Sequence, residues 1–223
     1  MTALEWAALA LGGLGIGGVA AAAAGSGGGT SEIAGLGYTG AAALTTISAY
    51  AQNNGGTAPV AADYTAAGVT GIGGAGQPTV AQINAALADA DVIGTAADST
   101  AEVQGIVDAY QAILANADGT ANNATSPSAA DYTKLGVTGI DTAAELGLLG
   151  DVIDGKTAAD VATPAQIQAL ADAAAATVAY DGTNTAPTQA QLEALGVTGL
   201  TAVHTSPTRA STEAANADGT PIA

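Results

Sequence analysis

The chain contains no cysteine and no phenylalanine, and only one tryptophan and one methionine. Without cysteine, disulfides and thiolate-held metals are excluded. Cationic side chains number only three, Lys134, Lys156 and Arg209, against 20 carboxylates, and the net charge is −17. Nucleic-acid binding sets Lys and Arg against phosphates, and anionic membrane surfaces attract the same groups. This chain suits neither. Bulky side chains are replaced by 59 Ala and 31 Gly, about two-fifths of the 223 residues. A core must therefore come from Ala, Val, Leu and Ile with backbones in close approach. Glycine lacks the three-residue period of collagen.

One long apolar run is present. Trp6 to Gly25 covers 20 residues without a polar side chain, long enough for a membrane-spanning helix of about 20 residues. No Lys or Arg precedes it, as a signal peptide or a positive-inside anchor would require. Its glycines weaken an isolated helix, while Gly13-xxx-Gly17 favours close helix–helix packing. The first expectation is an apolar helix packed in a protein assembly, with Trp6, Leu9, Gly13, Gly17 and Val19 as self-assembly residues. A membrane anchor is the second and a targeting peptide the third. Gly25 to Gly29 (GSGGG) reads as a flexible linker.

The most specific signal is an internal repeat. AADYTAAGVTGI spans Ala61–Ile72, AADYTKLGVTGI spans Ala129–Ile140, and QAQLEALGVTGL spans Gln189–Leu200. Pro59, Pro127 and Pro187 each stand four residues before the Asp/Gln column. Asp-Gly-Thr occurs at Asp118, Asp181 and Asp218, and Asn53–Thr57 (NNGGT) is a looser copy. Each unit thus reads as an Ala-rich segment, a loop, a proline, a short amphipathic segment, a Gly-Val-Thr-Gly turn and another Ala-rich segment.

Periodicity makes these segments helical. Val103, Ile106, Val107, Tyr110, Ile113 and Leu114 form one stripe at helical spacing, as do Leu170, Ala173, Ala174 and Val178. Thr79 and Thr163-Pro164 supply helix starts, and Asp-Gly is expected as a left-handed C-cap. The short segment predicts a two-turn helix ended by Gly136, with Tyr132 and Leu135 facing inward. The fold expected is all-α, in tandem modules of about three helices each behind the apolar N-terminal helix. Repeat 1 covers 30–98, repeat 2 covers 99–163, and a shortened repeat 3 covers 164–223 after an N-terminal segment 1–29. Tyr64, Gly68, Gly71, Tyr132, Gly136, Gly139, Leu192, Gly196 and Gly199 are its structural positions. From the turn's last residue to the next Asp-Gly-Thr aspartate takes 46, 41 and then 18 residues. The last interval is a helix too short, and TPIA stands where a further short helix would begin. An open repeat array leaves an apolar face for a neighbour, and head-to-tail contacts that do not close give a filament.

The AADYTxLGVTGI element, the Asp-Gly-Thr loops and the Ala-rich helices resemble the repeats of very large, type-I-secreted, biofilm-associated surface adhesins of Gram-negative bacteria. The likeness runs over roughly Ala41–Ala223, and the Trp-Ala-Ala-Leu-Ala-Leu-Gly-Gly stretch is similar to the apolar segment near their N-termini. The resemblance implies an extracellular, cell-surface role in matrix or adhesion. Those proteins carry many repeats with adhesive and secretion domains, whereas this chain has three. That departure favours a small self-assembling subunit.

No catalytic or cofactor arrangement emerges, and an enzyme is not expected. Gly13-x-Gly15-xx-Gly18 and Gly71-x-Gly73-xx-Gly76 lack the preceding strand of a dinucleotide site. Placing Gly119 at position 6 of an EF-hand puts Leu114 at position 1 and Thr125 at position 12, which fails. The excess of carboxylates allows scattered weak calcium binding, but turn-forming aspartates explain the loops more simply. His204, the single histidine, sits in a Thr/Ser/Pro loop without a GxSxG elbow. Asp89/Asp91 and Asp151/Asp154 flank helix ends. The partner expected is the chain itself, as a homopolymer.

Overall fold

The computed structural model describes residues 39–121 and 126–200. The described residues form helices and turns, with no strand: α1 Gly40–Gln52, α2 Ala61–Ala66, α3 Val80–Leu87, α4 Thr100–Asn116, α5 Ala129–Lys134, α6 Ala143–Asp154, α7 Pro164–Ala179 and α8 Gln189–Ala194, with a 3₁₀ turn at Gly94–Ala96. The all-α expectation holds. Packing proceeds along the chain: α1 carries α2 and α3, α4 receives α3 and carries α5 and α6, and α7 receives α6 and carries α8.

Local chemistry starts these helices. At Thr39, Thr79, Ser99, Ser128, Thr142, Thr163 and Thr188 the hydroxyl accepts a first-turn amide. Each such cap contributes about 1 kcal/mol. Six-residue helices such as α2, α5 and α8 are too short to persist alone, so their burial decides whether they form. Pro164 opens α7, where its missing N–H costs nothing.

Alanine lets the helices approach closely. Ala43, Ala51, Ala86, Ala109, Ala171 and Ala174 are fully buried, and the largest buried side chains are Tyr64, Tyr110 and Tyr132. Tyrosine fills the volume that phenylalanine would elsewhere, and its hydroxyl then needs a partner. Tyr64 donates to Asn84 Oδ1, and Tyr110 donates to the Val161 carbonyl at 3.0 Å. The buried Tyr132 hydroxyl finds no partner among the described residues.

Burial raises the pKa of all three hydroxyls well above the ordinary tyrosine value. A pKa raised by folding contributes stability that is whole below the unfolded value, about 10, and is lost as pH climbs through the folded one. Spectrophotometric titration at 295 nm should therefore show these three ionising only as the helical circular dichroism collapses. Six tyrosinates formed with helicity intact would contradict the burial.

Two expectations need correction. Val178 is 38% exposed and Tyr180 46%, so the inward stripe of α7 ends at Ala174, beyond which no described helix covers it. The two described Asp-Gly pairs, at Asp118 and Asp181, do not cap helices, and Asp218 lies outside the described residues. α4 ends at Asn116 with the Ala117 amide donating to Ile113, and left-handed Gly119 (φ +81°) lies beyond it. Gly182 (φ +88°) is likewise outside α7, after Tyr180. In both loops the aspartate closes a tight turn, with Oδ1 accepting the amide two residues on at 2.8 Å.

Candidate assembly surface at the Gly-Val-Thr-Gly turns

Two of the three short helices, α5 and α8, are started by the same reciprocal contacts. In α5 the Ser128 hydroxyl accepts the Asp131 amide at 3.3 Å, and the Asp131 carboxylate accepts the Ser128 amide at 2.9 Å. Thr188 and Gln191 repeat this reciprocal cap for α8. In α2, Val60 has no side-chain acceptor, and only the Asp63 half of the box remains.

The exits match as well. Val69, Val137 and Val197 donate their amides to the carbonyls of Tyr64, Tyr132 and Leu192, while Gly68, Gly136 and Gly196 donate to residues three positions back. Such a double bond closes a helix only when the glycine position is left-handed, and φ is +79°, +80° and +92° there. Gly71, Gly139 and Gly199 also have positive φ, at +80°, +76° and +77°. The six glycines among the nine expected structural positions thus lie in three turns of one geometry, and Tyr64, Tyr132 and Leu192 supply the helix carbonyls that close them.

The surroundings of the turns differ. Val69 is 6% exposed and Val137 2%, whereas Val197 is 42% exposed. The first two turns are covered by the long helix that follows. Gln104 of α4 accepts the Thr70 amide at 2.9 Å through Oε1 and donates to the Thr70 carbonyl at 3.2 Å through Nε2. Gln168 of α7 does the same to Thr138, at 2.8 and 3.1 Å. Each glutamine is oriented by an aspartate one helical turn on: Nε2 donates to Asp108 at 2.8 Å and to Asp172 at 2.6 Å. The Thr100 hydroxyl adds a bond to the Ala67 carbonyl at 2.7 Å. The third turn has no such clamp among the described residues. Leu192, in the column of Tyr64 and Tyr132, is only half-buried.

The clamps give a direct test. Gln168→Ala should lower stability by about 1–2 kcal/mol for two backbone bonds lost near the surface. Hydrogen exchange at the Thr138 amide should accelerate well beyond that of its neighbours. Unchanged protection at Thr138 would make the clamp dispensable.

No known protein family, curated protein or solved structure matches this chain.

The remaining candidates fall into place as local structure. Gly71, Gly73 and Gly76 all have positive φ, so this glycine cluster is a loop, as the missing strand implied. Asp89 Oδ1 accepts the Asp91 amide at 3.1 Å. Asp154 is buried on α6 and Asp151 exposed, which puts the two in different environments. Among the described residues no three His, Asp or Glu side chains converge as a metal site would need. No described helix is long and apolar enough to cross a membrane. Trp6, Leu9, Gly13, Gly17, Val19 and His204 lie outside the described residues.

The glutamine clamps went unread in the sequence although a signal exists. Gln104 and Gln168 both stand five residues after their caps, Ser99 and Thr163, and four before an aspartate. A polar residue on an otherwise amphipathic stripe reads as solvent-facing, and only the neighbouring turn shows otherwise.

Proposed function

We propose that the chain is a structural subunit, a tandem array of small helical units that polymerises head to tail into an extracellular filament or sheath on a bacterial surface. The observation that carries this reading is the recurrence of one docking contact. A Gly-Val-Thr-Gly turn seats on the following long helix at α2–α4 and again at α5–α7, with the same glutamine hydrogen bonds. A contact that repeats inside a chain propagates between chains when its two halves are offered at opposite ends. The likeness to surface-adhesin repeats supports the extracellular setting and a place in adhesion or biofilm matrix.

The acidic charge shapes the expected behaviour. Copies at −17 repel each other, so assembly should strengthen as salt shortens the screening length from about 30 Å at 0.01 M to about 8 Å at 0.15 M. Electron microscopy of the natively secreted protein without detergent is the test. Filaments with a regular axial repeat support the reading, and monodisperse particles under all salt conditions overturn it. The apolar run at Trp6–Gly25 favours a second reading, a monomeric adhesin-like module anchored through residues 6–25. Recovery solely in membrane fractions would support that one instead.

A further inference from the structure

We infer that the uncovered turn after α8 seats on α1 of a second copy of this chain, along an open groove of about 460 Å³ whose walls include Ala41, Leu44, Thr45 and Ser48. This rests on the self-assembly reading above and names its contact.

The internal precedent defines what the turn takes: a long helix, met at the position five residues after its cap. In α4 and α7 that position is Gln104 and Gln168, and both hold a turn. In α1 the cap is Thr39, and the fifth residue beyond it is Leu44. Leu44 is half-buried and lines the groove. Among the described residues no Gly-Val-Thr-Gly turn seats on α1, whose Ser48 hydroxyl donates instead to the Gly94 carbonyl of the 3₁₀ turn on the groove's other wall at 2.8 Å, and no following helix clamps the turn after α8. The two vacant halves of one contact thus occur once each.

Their chemistry is complementary. α1, GAAALTTISAYAQ, carries no charged residue over 13 positions. The turn from Ala194 to Leu200, ALGVTGL, carries none either. Asp98 is the one carboxylate lining the groove. In a chain of net charge −17, these are surfaces on which two copies approach with little local repulsion. Leu44 replaces the glutamine clamp by apolar contact, and Val197, 42% exposed, is the side chain such contact would bury.

The absence of cysteine makes the test clean. Full-length Thr198→Cys and Leu44→Cys chains are mixed and treated with a short bis-maleimide, each end of which adds one cysteine thiol. A covalent dimer that requires both chains supports the inference. Full-length Val197→Asp, altered at an exposed position, should keep its helical circular dichroism yet lose filaments at least tenfold by pelleting. Filaments without the Thr198–Leu44 crosslink, or filaments unaffected by Val197→Asp, would overturn this contact and leave the self-assembly reading standing. No polymer from the unsubstituted chain at any salt concentration would overturn both. A Thr198→Cys, Ala214→Cys chain that closes on itself would put residues 201–223 on the face, and that too overturns the inference.

Discussion

Replacing Tyr110 by Ala should cost about 3–5 kcal/mol, the range for truncating a buried aromatic, and so remove much of the 5–15 kcal/mol typical of a folded chain. Three features make this the most sensitive side chain. Tyr110 is fully buried in the middle of α4, the helix that touches α3, α5 and α6. The buried core of the described residues is rich in alanine, with Ala43, Ala51, Ala86, Ala109, Ala171 and Ala174 all fully buried, and so offers few long side chains with which to fill a cavity. The Tyr110 hydroxyl also serves the Val161 carbonyl, 51 residues away, at 3.0 Å. Tyr110→Phe isolates that last contribution. It leaves a buried carbonyl short of a donor and should cost about 1–3 kcal/mol. Tyr132→Phe is the internal control. The Tyr132 hydroxyl is buried without a partner among the described residues, so its removal should be neutral or slightly stabilising. Urea midpoints followed by far-ultraviolet circular dichroism would rank the three. Equal losses for the two Phe variants would contradict the assigned hydrogen bonding.

Gly136→Ala should be the second large effect, about 2–4 kcal/mol, because left-handed strain and overpacking act together. Gly136 has φ +80°, and a β-carbon there would run into Asp89, whose own β-carbon would stand only 2.9 Å away. Relief is hard, since Asp89 is tied down by the Asp91 amide at 3.1 Å and by its carbonyl bond from Val92 at 3.1 Å. Gly196→Ala supplies the comparison. Its φ is +92°, yet nothing lies within 4 Å of the added carbon. It should therefore show only the conformational cost, about 1–2 kcal/mol. Chemical denaturation of the two variants separates the terms. A Gly196→Ala loss as large as that of Gly136→Ala would mean that the Asp89 contact contributes nothing.

The same pair shows what was legible in the sequence. Helix starts and exits were, because their determinants lie within three to five residues of one another. Ser128 with Asp131, Thr188 with Gln191 and the glycines after each short helix act through local hydrogen bonds and local backbone sterics. The inward positions of Tyr132 and Leu135 followed from helical spacing, and both are buried. Where the local rule was stretched it failed: Asp-Gly was read as a helix cap, but the helices end two residues earlier and the aspartates close turns of their own.

Tertiary structure decided what equivalent local sequences become. Gly-Val-Thr-Gly is spelled identically at 68–71, 136–139 and 196–199 and folds into the same turn each time. Val137 is nevertheless 2% exposed and Val197 42%, because α7 lies over the first and no described helix lies over the second. The roles of Gln104 and Gln168, and the pairing of Tyr110 with Val161, likewise arise between residues 30 or more positions apart. Local sequence specifies where helices start and where they stop. Which of their faces stay dry depends on what packs against them, since burial is a property of neighbours rather than of the residue itself.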